Sequence, residues 1–141
     1  MSQSNTQAGQ IVLNSSEDLK GKEGFLVKII NTSNVPKFAL PDAESDLALF
    51  VVTDGGDKNE NTAALPISPE RSVRLKLNGT CVPGAVLVLE TPDGTNDGKV
   101  KTLPVTVPGT YRGIAIAEEV GTDEQLVKAR PAMIGNITIT G

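Results

Sequence analysis

Apolar residues in this chain come in short runs, each closed by turn residues. The run FLVKII at 25–30 is β-branched and ends in Asn31-Thr32-Ser33-Asn34, a strand followed by a turn. The most apolar run, LALFVV at 47–52, has strand length rather than helix length. At 73–77 the pattern alternates cleanly: Val73, Leu75 and Leu77 point to one face, and Arg74 and Lys76 to the other. Asn78-Gly79 follows at once as a tight-turn signal, and Cys81-Val82-Pro83-Gly84 is a further turn. VLVL at 86–89 is apolar on both faces, as in a closed barrel or an interface.

Further strands are expected at 11–13, 100–107, 113–117, 126–130 and 137–140. The segment 41–46 reads as one helical turn capped by Asp42. Residues 53–64, TDGGDKNENTAA, read as a long polar loop. The fold class is therefore all-β, a small barrel or sandwich of about eight or nine short strands. Residues 11–141 form a single β domain, and residues 1–10, polar and without charged side chains, form a flexible N-terminal arm.

Composition sharpens this picture. Among 141 residues are 14 Gly and 9 Pro, which leave little room for long helices. There is no His and one Cys, which excludes Ser-His-Asp and Cys-His pairs, intrachain disulfides and cysteine metal clusters. Cys81 reads as a structural thiol. The net charge is −4 with no basic block, so no nucleic-acid partner is expected. No apolar run reaches membrane-spanning length and the first ten residues are not a signal peptide, so no membrane partner is expected either.

Candidate chemistry fails on inspection. Asp93-x-Thr95-x-Asp97-Gly98 begins like a calcium loop, but Pro104 stands where the bidentate Glu belongs. The stretch 94–100 lacks the spacing and hydroxyl of a phosphate loop. The acidic groups Asp54, Asp57 and Glu60, and Glu118, Glu119, Asp123 and Glu124, read as solvated loop faces. No catalytic residue, cofactor, metal or small-molecule substrate is expected.

Two stretches carry a resemblance. RSVRLKLNGTCVPGAVLVLETPDGTNDGKVKTLP begins at Arg71, and GTYRGIAIAEEVGTDEQLVKARPAM ends at Met133. Together they resemble the small β-barrel capsid cement, or head decoration, proteins of tailed bacteriophages. The resemblance implies a homotrimer on the outer surface of a virion, bound to the major capsid protein and made in the host cytoplasm. By analogy with the arms such families lay on the shell, Ser2, Gln3, Ser4, Asn5, Thr6, Gln7, Ala8, Gly9 and Gln10 are candidates for capsid contact. Val86, Val88, Ile114 and Ile116, on strands lacking polar alternation, are candidates for the oligomer interface. The alternatives are another virion β protein (a tail tube subunit or a head fibre base) or a non-catalytic binding or adhesin domain. A tail tube subunit would use 53–64 as its stacking hairpin.

Overall fold

The structure, a computed structural model, describes residues 9–132 and 135–141. Among them the chain forms eleven strands and no helix. The first five are β1 (Ile11–Ser15), β2 (Leu26–Thr32), β3 (Val35–Ala39), β4 (Phe50–Asp54) and β5 (Asn61–Pro66). They close into a barrel in the order β1-β3-β2-β4-β5, with β1 parallel to β3 and antiparallel to β5. The remaining six are β6 (Val73–Lys76), β7 (Val86–Leu89), β8 (Val100–Thr102), β9 (Gly109–Ala117), β10 (Leu126–Arg130) and β11 (Gly135–Ile139). They form a second sheet in the order β6-β10-β9-β7-β8, with β11 paired to β9 beyond β10.

Two of these strands were not expected. β3 carries Pro36, which normally interrupts a ladder. Here β1 pairs with β3 only at Lys37 and Phe38, so Pro36 sits on an unpaired stretch of that edge. The β2–β3 turn is tight because Ser33 and Asn34 both take left-handed φ angles, 50° and 67°. The Asn34 amide donates to Asn31 Oδ1 at 2.6 Å.

β5 and the end of β4 replace half of the expected loop at 53–64. The inward positions of β5 are Thr62 and Ala64, both fully buried, and neither reads as a core residue in sequence. Thr62 Oγ1 meets Ser15 Oγ at 2.6 Å and accepts from the Gly56 amide at 2.9 Å. The connection therefore shrinks to 55–60. A Cβ at Gly55 would stand 1.9 Å from the Leu19 carbonyl oxygen, so only glycine lets the chain fold back this closely.

Residues 41–46 form a bend, not a helical turn. The capping runs the other way: Asp46 Oδ2 accepts from the amides of Asp42 at 2.9 Å and Ala43 at 3.2 Å. The strand expected at 100–107 stops at Thr102, ahead of Pro104.

Packing explains why several strands are apolar on both faces. Val27 and Val52 point into the barrel with Leu19, Phe38 and Ala64. Their neighbours Leu26 and Val51 point outward, onto Leu75, Leu87, Leu89, Ile114 and Val127 of the second sheet. β2 and β4 are thus a wall shared by two cores. Fully burying a leucine such as Leu26 contributes about 1.5–3 kcal/mol.

Candidate functional surfaces

The four proposed interface residues divide. Val88 and Ile114 are fully buried within the single chain, and Val86 and Ile116 are half-buried. β7 pairs with β8 on one side and β9 on the other. Val88 and Ile114 therefore have no surface to offer a second copy, which corrects that part of the expectation. The two-sided apolar pattern comes from enclosure within this chain: Leu87 and Leu89 join the core shared with β2 and β4, and Val88, which alternates with them along β7, is fully buried as well.

Of the nine proposed capsid-contact residues, Ser2, Gln3, Ser4, Asn5, Thr6, Gln7 and Ala8 lie outside the described residues. Gly9 and Gln10 are exposed, and the Thr53 hydroxyl donates to the Gln10 side-chain carbonyl. The arm thus joins the chain beside the β4 end of the barrel.

The acidic and turn motifs are engaged by their own surroundings. Asp93 accepts from the amides of Thr95 at 2.8 Å and Asn96 at 2.7 Å, and these bonds hold its carboxyl below the usual range. Asp97 Oδ1 accepts from the amides of Asp93 and Gly94. Glu119 pairs with Arg74 at 3.2 Å, Glu124 with Lys99 at 2.5 Å, and Asp123 caps the Gly79 amide at 2.7 Å. Glu118 accepts from the Ser72 hydroxyl, which with Arg130 holds its carboxyl low. Among the described residues, no three His, Cys, Asp or Glu side chains come together where they could hold a metal ion. Cys81 is buried, and burial pushes its thiol up, away from the reactive thiolate.

The bend at 42–46 is clamped from two sides. Lys28 Nζ stands 2.7 Å from both Asp42 Oδ1 and Asp46 Oδ2. From β9, the Arg112 guanidinium donates to the carbonyls of Ser45 at 3.1 Å and Asp46 at 3.3 Å. Burial alone would raise the Asp46 carboxyl; the bonds from Lys28 and Asp42 outweigh it and bring it down to about 2. This bend ties the barrel to the second sheet.

One end of the molecule looks different from the rest. The segment 103–108, between β8 and β9, exposes Val105 at 71% and Val107 at 52%. β11 runs beside the strand that follows it, with Thr138 opposite Thr110 and their hydroxyls 3.3 Å apart. Gly141 lies against Pro108. Residues 103–110 and 135–141 carry no charged side chain at all. Sequence reasoning passed over this end; the signal was the missing charge, not any motif.

A closed five-stranded barrel backed by a six-stranded sheet defines an all-β architecture. No family model and no curated protein sequence matches the chain. Among solved structures, it is similar to "The crystal structure of head fiber gp8.5 N base in bacteriophage phi29", with a TM-score of 0.65 and 15% sequence identity. The match covers 89% of this chain and 95% of that one. At this identity the likeness is one of fold.

Proposed function

We propose that this chain is a structural protein of a tailed-bacteriophage virion, held on the outside of the head shell and turning over no substrate. The observation that carries the reading is the fold match to a head fibre base domain over nearly the whole of both chains. Two finer roles fit. The motif resemblance at 71–133 favours a cement protein that staples shell subunits. The fold match favours a fibre base.

In either role the partner is the major capsid protein, and the chain acts as a homotrimer. The physics is that of many weak contacts summed. An arm at residues 2–10 that adds a strand to a shell edge gains backbone hydrogen bonds with little sequence demand. Three joined copies turn each later contact into an intramolecular one, so release becomes slow.

The test is electron microscopy of the parent particle. Density for this fold on the outer shell, arranged about a threefold axis, is the expected result. Its absence from purified particles by mass spectrometry overturns the reading. Copies tiling the lattice mark a cement protein, and copies beneath a longer projection mark a fibre base. Empty heads should also bind residues 11–141 at least about tenfold more weakly than the full chain, the arm's share of a multivalent grip. Equal binding would leave the arm without a role.

A further inference from the structure

We propose that the outer edge of β11, together with the 103–108 segment, is the seam through which copies of this chain join. The inference rests on the oligomer part of the reading above and names its contact surface.

The argument starts from edges. An unpaired strand edge is a template for any other chain, and soluble proteins blunt it by closure, shortness, charge or cover. This molecule does so almost everywhere. β1 to β5 close into a barrel, and the stretches where its ladders stay open carry Lys28 on β2 and Pro36 on β3. β6 has four residues, carries Arg74 and Lys76, and is covered where the Lys76 amide donates to the Gly24 carbonyl at 3.0 Å. β8 has three residues, carries Lys101, and is bridged to Leu77 at Val100.

β11 has none of these devices. It is five residues long and pairs with β9 in unbroken register from Gly135 opposite Gly113 to Ile139 opposite Gly109. Among the described residues its peptide groups have no backbone partner on the other side. Its sequence, GNITI, is free of charge and proline and rich in β-branched residues.

The occupant follows from charge. The chain has 17 acidic against 13 basic residues, so copies repel over most of their surface. They can approach without that cost where both faces are neutral. The β11 edge and the 103–108 segment are two such faces, side by side on one copy. The nearby Arg112 guanidinium is already held by the Ser45 and Asp46 carbonyls. A head-to-tail contact sets the β11 edge of one copy against Val105 and Val107 of the next, and closes as a ring of three.

Sedimentation velocity on the full chain, with circular dichroism to check folding, decides the matter. Wild type should sediment as a trimer. Thr138→Lys places a charge on the edge and Val105→Lys places one on the facing segment. Each should weaken association by about a hundredfold or more, because a desolvated charge at a seam lacks a partner. Val105 is so exposed that its variant should fold even if Thr138→Lys does not. Val12→Lys, on the exposed outside of the barrel, should remain a trimer. A trimer unaffected by both seam variants overturns the seam and leaves the trimer standing. A wild-type monomer at every concentration overturns both, while docking on the shell is judged separately on the particle.

Discussion

The barrel pairs each of its five strands on both sides, whereas the sheet leaves β11 with one neighbour. The two regions also differ inside. The barrel interior is small and admits a buried Ser15–Thr62 hydroxyl pair. The sheet's core is built of leucine, valine and isoleucine, and it borrows Leu26, Ala48 and Val51 from the barrel's half of the chain. The barrel is thus finished as a hydrogen-bonded object but not as a packed one. Its outer wall is buried only because the sheet lies against it. The sheet is packed but has an edge to spare. Cohesion within one chain is concentrated at the shared wall, and the proposed association between chains falls at the free edge.

The shared wall gives the largest expected effect. Leu26→Ala removes a fully buried side chain that joins the two regions, and should cost about 2–5 kcal/mol. Chemical denaturation should still show one transition. Amide exchange should quicken in β3 and in β9 alike. If protection in β9 fell while β3 was untouched, the two regions would be independent units and the comparison would fail.

A smaller loss is expected inside the barrel alone. Thr62→Val keeps the shape but removes the oxygen that the Gly56 amide and the Ser15 hydroxyl both use. Leaving buried groups unpaired costs about 1–3 kcal/mol. Because Ser15 Oγ also donates to the Glu60 carbonyl at 2.9 Å, the lower part of that range applies. Exchange should quicken at 55–62 before it does in β9. Equal quickening in both would mean that the hydroxyl pair supports the whole molecule.

The same contrast explains what could be read from the sequence. Most strands of the sheet were legible because their apolar periodicity is strong, as in Val73, Leu75 and Leu77. Two of the barrel's five strands were not. β5 hides its inward face behind Thr62 and Ala64, and β3 looks broken by Pro36. The two-sided run at 86–89 was correctly read as enclosed, but period alone cannot tell an enclosing strand of the same chain from one of another copy. Val88 and Ile114 were assigned to the wrong encloser for that reason. The β11 edge was visible as a strand, yet its lack of charge acquires meaning only beside the other edges, which carry Lys28, Pro36, Arg74, Lys76 or Lys101.

The clamp at 42–46 is where the two regions meet through polar groups, and its expected contribution is the smallest. Asp46 accepts from Lys28 and from two amides of its own bend, while Arg112 of β9 holds the bend's carbonyls. Its carboxyl lies at about 2 in the folded chain against an ordinary 3.8. A carboxyl lowered on folding stabilises the folded state above its ordinary value, and this stabilisation fades as pH falls toward 2. With Asp46 still 22% exposed, solvent screening holds the contribution to about 1–2 kcal/mol. Asp46→Asn should therefore lower stability by that amount at neutral pH. The gap between variant and wild type should narrow as the solution is acidified from pH 4 to about 2, because protonation gradually removes the charge that the variant lacks throughout. Lys28 stays charged across this window, its own value raised: burial works against it, and Asp42 and Asp46 outweigh the burial. Paired denaturation curves at stepped pH would measure the narrowing. A gap that stayed constant with pH would mean that Asp46 holds the bend by shape and hydrogen bonding, with its charge contributing nothing to the join between barrel and sheet.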